Sequence, residues 1–281
     1  MTTFADLLAD ARARFKRAPS KPAPREAALL LGHVLGLSEA QVLARGESVV
    51  GPEPQAAFAA LLERRLAAEP VAYLFGEREF YGRVFRVDRR VLIPRPETEH
   101  LVEAARALRL PPRPSIVDVG TGSGCIAVTL ALEIPGARVT ATDRSIDALK
   151  VAALNRDRLG ARVALLAADL LAGIDPGSVD LLASNPPYVD PAERDRLSPE
   201  VVAWEPHVAL FAAAAGRELT ARLLSAATRL RPGTPTLLEI GYDQATWLKQ
   251  AVAEQPRLRL EHLTSDYAGI PRTAWLRTVA C

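Results

Sequence analysis

Apolar positions in the first quarter of the chain recur at helical spacing. Leu7, Leu8, Ala11 and Phe15 fall on one helix face, and Ala27, Leu30, Leu31, Val34 and Leu35 on another. Ser38 stands where an N-cap would open a third, short helix, because its hydroxyl can accept from the orphaned N–H groups of a first turn. Gly51-Pro52-Glu53-Pro54 reads as a break. Gln55 to Ala68 resumes the period with Phe58, Leu61, Leu62 and Leu66 on one side. The pattern predicts a small helical bundle over residues 1–70.

At Pro70 the texture changes. Between Tyr73 and Leu92 apolar residues partly alternate with polar ones around Gly82, which predicts a β-hairpin linker over residues 71–96. A helix follows from about Glu97, and Pro111-Pro112-Arg113-Pro114 stiffens the chain after it. From Ser115 strands and helices alternate. Strands are predicted over 116–119, 138–143, 163–167, 179–183 and 235–240, with 258–263 and 273–279 closing the chain. Helices are predicted over 126–133, 146–159, 216–230 and 244–253, with a long loop after the fourth strand. The fold class is α/β: a Rossmann-like, mostly parallel sheet covered on both faces, spanning residues 97–281 and joined by the hairpin to the helical bundle.

Composition narrows the function classes. The chain has 281 residues, 49% of them apolar, enough for a sizeable core. Its 35 basic and 33 acidic residues nearly balance, which argues against coating nucleic acid through bulk charge. Arg78, Arg83, Arg86, Arg89 and Arg90 cluster near the hairpin, but Glu79 and Asp88 interrupt them, as on a solvated face. Cys125 and Cys281 have no metal-ligand spacing and are too few for a disulfide framework. The first ten residues carry two aspartates and no apolar core of a signal peptide, and the apolar stretch Ala27–Leu37 is too short to span a bilayer. These features predict a soluble, cytoplasmic protein without metal or membrane attachment, and nothing demands more than a monomer.

Two segments carry chemistry. Asp118-Val119-Gly120-Thr121-Gly122-Ser123-Gly124 follows the first strand and opens a helix, where ligands of open α/β sheets bind. The spacing is G-x-G-x-G, which fits a pyrophosphate cradle less well than G-x-G-x-x-G does. Asp143 ends the second strand, where a carboxylate can accept from both vicinal hydroxyls of a ribose. Asp169, after the third strand, is placed to face an adenine amino group, with Leu170 against the ring.

The fourth strand runs into Asn185-Pro186-Pro187-Tyr188. Two prolines remove two N–H donors and fix φ, and Pro186 pushes Asn185 into an extended conformation. The result is a rigid rim on which Asn185 Oδ1 and the Pro186 carbonyl can hold both hydrogens of an NH₂ group, with the Tyr188 ring to stack on a planar amide or base. Taken alone, the tetrapeptide suits an amide or a base amino group equally.

With these motifs in place the sequence resembles the glutamine-N5 methyltransferases of peptide chain release factors. The resemblance runs from the helical N-terminus through Phe80-Tyr81-Gly82, Pro94-Arg95-Pro96-Glu97-Thr98-Glu99, the glycine loop, the tetrapeptide, Glu205-Pro206 and Glu239-Ile240-Gly241 to Asp266–Arg272. It implies a class I methyltransferase sheet and S-adenosylmethionine as cofactor. It implies as substrate the glutamine of the Gly-Gly-Gln tripeptide in bacterial release factors. It implies cofactor contacts from Gly120, Thr121, Gly122, Ser123, Gly124, Asp143, Leu170 and Asn185, beside the Asp169 contact read from its strand end. It further implies that Asn185, Pro186 and Tyr188 are catalytic, that these three and Pro187 hold the glutamine, that Arg95, Pro96 and Glu97 line the cleft, and that the N-terminal bundle grips the protein substrate. The chain departs from the family pattern at Ala212–Glu218, usually glycine-rich and acidic, and at Leu170, often aromatic.

The rival readings are an adenine-N6 DNA methyltransferase, which would need to flip its base and bind backbone phosphate, a ribosomal-protein glutamine methyltransferase, a non-catalytic cofactor binder and an NAD-dependent dehydrogenase. The balanced charge opposes the first, and the intact tetrapeptide opposes the third. The glycine spacing and the scattered His33, His100, His207 and His262 oppose the last.

Overall fold

The computed structural model describes residues 1–280, and Cys281 lies outside the described residues. The chain forms two compact units, residues 1–76 with 195–205, and 77–194 with 206 onward.

The first unit is helical: Phe4–Arg17, Glu26–Leu35, Glu39–Ala44, Pro52–Leu66 and Val71–Phe75. Thr3 opens the first helix through a reciprocal capping box with Asp6, and the Thr3 hydrogen bonds hold the Asp6 carboxyl below its ordinary pKa. Ser38 and Gln41 form the same device at the third helix. Phe4, Leu8, Phe15, Leu30, Leu31, Phe58 and Leu62 fill the core. Two readings are corrected here. Gly51-Pro52-Glu53-Pro54 does not break the pattern: Gly51 is an N-cap and Pro52 begins the helix. Proline suits that turn because its missing N–H would have had no partner there. Tyr73 belongs to a short helix, ended by left-handed Gly76, rather than to a strand.

The segment 195–205 contains the helix Pro199–Trp204. It is tied down by Glu200, which meets Arg65 at 2.9 Å, and by Trp204 Nε1, which donates to the Ala67 carbonyl. Arg65 is buried and also bonds Glu26, so two carboxylates offset the cost of its desolvation.

The second unit begins with the hairpin β1 (Glu77–Phe80) and β2 (Arg83–Arg86). Its turn residues Tyr81 and Gly82 are both left-handed, the geometry that matches strand twist in a tight hairpin. Phe80 and Phe85 pack edge to face in the core beneath one face of the main sheet. Buried Asn155 binds the Arg86 backbone through both its carbonyl and its amide, and its NH₂ also reaches the Ser123 carbonyl, so hairpin and glycine loop share one anchor.

The main sheet contains β3 (Ser115–Val119), β4 (Arg138–Asp143), β5 (Val163–Ala167), β6 (Leu181–Ser184), β7 (Pro235–Glu239), β8 (Leu258–Ser265) and β9 (Pro271–Thr278). Their spatial order is β5-β4-β3-β6-β7-β9-β8, with β9 antiparallel to β7 and β8. Alternation sends Ile116, Leu181, Ala183 and Leu237 into one core, with the helices Glu99–Ala107 and Cys125–Glu133. It sends Val117, Val119, Leu182 and Leu238 into the other, with the helices Glu218–Ala227 and Ala245–Ala253. Because β3 pairs with both β4 and β6, strand order reverses there and opens a crevice at the carboxyl ends. The fourth parallel strand starts at Leu181 rather than Val179, after a 3-10 turn over Pro176–Ser178. The stretch read as one long loop holds short helices over Pro199–Trp204 and His207–Leu210, each too brief to show an apolar period. No helix among the described residues is long and apolar enough to cross a membrane.

Candidate active site

At the end of β3 the chain turns through left-handed Gly120, Gly122 and Gly124. The three glycines serve different ends. A Cβ on Gly120 or Gly122 would meet no protein atom within 4 Å, and both residues line a pocket at the switch point. A Cβ on Gly124 would sit 3.2 Å from that of Ala152, so this glycine lets the helices Cys125–Glu133 and Ile146–Leu159 approach each other. Thr121 and Ser123 are buried and turn inward. The Thr121 hydroxyl donates to Asp118 at 2.6 Å, and burial pushes the Asp118 carboxyl up to about 7 despite that bond. Thus Gly120 and Gly122 form the pocket wall, while Thr121, Ser123 and Gly124 support it from behind.

Asp143 also lines the pocket. Its two carboxylate oxygens accept from Gly122 N and Ser145 N at 2.9 and 2.8 Å, which fixes the group in place and leaves further lone pairs for a ligand. Asp169 and Leu170 reach the same wall. Asp169 is exposed and paired with Arg222 at 2.6 Å. Leu170 is left-handed, an uncommon state for a branched side chain, with its carbonyl held by Thr142 Oγ1.

Asn185 and Pro187 close the opposite side of the pocket. Asn185 Nδ2 donates to Thr98 Oγ1 at 3.1 Å, which orients the amide and leaves Oδ1 as its free acceptor. Tyr188 donates its hydroxyl to Glu239 Oε1 at 3.2 Å, and burial raises its pKa. Burial also raises the Glu239 pKa, against the pull of hydrogen bonds from Thr98 and Tyr188 and of the Arg272 charge. Behind the rim, Gln244 Nε2 donates to the Tyr188 and Gly216 carbonyls at 3.1 and 3.0 Å. A Cβ on Gly216 would collide with the Tyr188 carbonyl, and the adjoining Ala214 and Ala215 are left-handed where the resembled family usually places glycine.

Arg95, Pro96 and Glu97 lead into a 3-10 turn that brings Thr98 under Asn185. They are not on the wall of this pocket, which takes Arg90, Val91 and Leu92 from the same segment. The charges of Arg95 and Glu97 nevertheless reach Tyr188 and Glu239. Sequence reasoning missed Thr98, Asn155, Glu239 and Gln244 as site residues. Only Glu239 gave a signal, as a carboxylate ending an otherwise uncharged strand beside the strand of the tetrapeptide.

The pocket suits S-adenosylmethionine. Bare glycine backbone faces open space, a fixed carboxylate stands at the end of β4, and Leu92, Val119, Leu170 and Leu219 supply apolar surface for a base.

Comparison with known proteins places the fold first. A methyltransferase from Pyrococcus furiosus superposes with a TM-score of 0.53 at 18% identity, over 79% of this chain and 100% of that one. Residues 98–204 match the methyltransferase small domain, and residues 6–76 match the PrmC N-terminal domain. The chain is 44% identical to the release factor glutamine methyltransferase of Bordetella pertussis, over 97% of this chain and 98% of that one. It is 41% identical to that of Koribacter versatilis, over 94% of each. The chain belongs to the release factor glutamine methyltransferase family.

Proposed function

We propose that this protein transfers a methyl group from S-adenosylmethionine to the side-chain amide nitrogen (N5) of the glutamine in the Gly-Gly-Gln motif of bacterial peptide chain release factors. The observation that carries this reading is the Asn185 amide, whose NH₂ is committed to Thr98 so that its carbonyl oxygen is left to accept from an incoming NH₂ group. When bound, the cofactor supplies a methyl group already activated on a sulfonium sulfur. Gly120, Gly122, Asp143, Asp169 and Leu170 would hold it, with Asp143 toward the ribose.

The protein's task is to make a poor nucleophile attack. An amide nitrogen shares its lone pair with its carbonyl. Asn185 Oδ1 and the Pro186 carbonyl hold both N–H bonds and aim the nitrogen. Such positioning supplies up to about 7–11 kcal/mol in the best intramolecular cases. The two fixed dipoles also meet the positive charge that develops on nitrogen. Tyr188 and Pro187 flank the planar amide, and the spare proton leaves to water. Arg95, Pro96 and Glu97 border the substrate's path, and the N-terminal helices (residues 1–70) grip the release factor in the cytoplasm.

The test is incubation with a release factor and S-adenosylmethionine, followed by mass spectrometry of the Gly-Gly-Gln peptide. A mass gain of one methyl on that glutamine is expected. Methylation of an added oligonucleotide or a ribosomal protein, with none on the release factor, would overturn the substrate.

A further inference from the structure

We infer that Gln244 is a positioning residue for the methyl acceptor: its side-chain amide holds the Tyr188 carbonyl and so fixes the Asn185–Tyr188 rim against the turn at Gly216. The inference deepens the amide-methylation reading and rests on it for the identity of the group that the rim receives.

The rim has an anchoring problem that its own sequence creates. Pro186 and Pro187 carry no N–H, so this stretch of backbone cannot be pinned there by donating hydrogen bonds. Its carbonyls are the remaining handles, and the Pro186 carbonyl is needed for the substrate. The Tyr188 carbonyl ends the tetrapeptide, and Gln244 Nε2 donates to it at 3.1 Å. The same nitrogen donates to the Gly216 carbonyl at 3.0 Å. Gln244 Oε1 accepts from Gly241 N at 3.2 Å. Gln244 is 1% exposed, so bulk water offers its amide no substitute partners. Two carbonyls against the nitrogen and one N–H against the oxygen allow a single orientation, since the flipped amide would set oxygen against oxygen.

The surrounding backbone is shaped around this amide. A Cβ on Gly241 would fall 3.2 Å from Gln244 Cδ and 3.4 Å from Tyr188 Cδ2, so glycine leaves room for the amide and the tyrosine ring together. A Cβ on Gly216 would meet the Tyr188 carbonyl oxygen at 2.1 Å, so the turn lies directly against the rim. Ala214 and Ala215, which lead into that turn, are left-handed at φ 53° and 57°. Such residues persist only where their surroundings hold them, and Gln244 bonds the carbonyl that ends the run. Gln244 stands at the N-cap position of the helix Ala245–Ala253, and its carbonyl accepts from Leu248 N at 2.8 Å, so the brace is built on a regular element. It is not on the wall of the cofactor pocket, so its loss should act on the acceptor and spare the cofactor.

The experiment compares Gln244→Met, which keeps the length of the side chain and removes its three hydrogen bonds, with Leu248→Val, a buried apolar change one turn along the same helix. Four quantities are read: turnover on the release factor, S-adenosylhomocysteine affinity, Tm, and the Val189 amide resonance of ¹⁵N-labelled protein. The Val189 nitrogen shares a peptide group with the Tyr188 carbonyl and so reports on its hydrogen bond. Gln244→Met should lower kcat by about 10- to 100-fold, the cost of a reacting group misplaced by about 1 Å. It should shift the Val189 resonance and leave S-adenosylhomocysteine affinity within about threefold of wild type. Leu248→Val should lower Tm and leave kcat within about twofold of wild type. Wild-type kcat in folded Gln244→Met, an unshifted Val189 resonance, or an equal fall in kcat in Leu248→Val overturns the inference. Where Gln244→Met does not fold, the wild-type protein decides. Both Gln244 side-chain N–H protons should exchange slowly with solvent, and fast exchange of either overturns the brace. Slow exchange of both, with no methylation of the release factor by the wild-type enzyme, overturns the substrate reading instead.

Discussion

Asp118, one residue before the end of β3, and Glu239, at the end of β7, are both buried, and both have pKa values raised by that burial. Their surroundings differ. Asp118 stands behind the glycine loop, and its hydrogen bond is local: Oδ2 accepts from the Thr121 hydroxyl, while Oδ1 is buried without a partner. Glu239 stands behind the tetrapeptide, and the groups that act on it come from across the chain: the Tyr188 hydroxyl, bonded to Oε1, and the charge of Arg272. The loop is thus a self-contained piece of backbone that shapes a pocket. The rim is an assembly of three distant segments that orients functional groups. Damage in front of Glu239 should strike turnover, and damage in front of Asp118 should strike cofactor affinity.

The largest expected effect follows from Asn185→Ala. Removing one preorganised dipole from a reacting centre typically costs about 10²–10³ in kcat. S-adenosylmethionine affinity, measured by isothermal titration, should change by less than about threefold, because the Gly120, Gly122 and Asp143 wall remains. A variant that loses affinity and turnover equally would dissolve the division between rim and loop.

Asp143→Ala is the mirror experiment and the next in size. It deletes the acceptor for the Gly122 and Ser145 N–H groups together with the proposed ribose contact. Two or three lost hydrogen bonds at about 0.5–1.5 kcal/mol each imply a 10- to 100-fold weaker Kd, on the order of 1.4–3 kcal/mol. With saturating cofactor, kcat should largely return. If it does not, Asp143 acts beyond the pocket wall.

The same contrast explains what was legible in the sequence. The sheet strands, the loop glycines and the tetrapeptide are short-range patterns, and β4, β5 and the helix Ile146–Leu159 fall on the residues that their periodicity marks. The placement of Asp143 followed from its position at a strand end. Pro52 misled because proline in a first helical turn and proline in a loop look alike locally. The roles of Thr98, Gln244 and Asn155 were not legible for a different reason: each acts by a hydrogen bond to a residue far along the chain, and a polar residue beside charged ones (Glu97 and Glu99, Asp243, Arg156) carries no local sign of that partner. Thr121 and Ser123, which the family resemblance implies as cofactor contacts, are buried, and the Thr121 hydroxyl is bonded to Asp118.

The remaining effect concerns stability rather than catalysis, and it isolates Asp118. Its carboxyl titrates near 3.8 when unperturbed and at about 7 in the folded protein. Because the folded pKa is the higher one, the folded state holds the proton more tightly. The group's contribution to stability is therefore complete below about pH 3.8, declines as pH rises towards 7, and is constant above that. Asp118→Asn removes the titration while keeping an acceptor for Thr121. Denaturant midpoints for wild type and variant should converge near pH 4 and then diverge by up to about 1.4 kcal/mol per pH unit, with the variant more stable. Above about pH 7 the curves should run parallel. A constant difference across the range would mean that Asp118 stays ionised throughout, and the Thr121 hydrogen bond would then outweigh its burial.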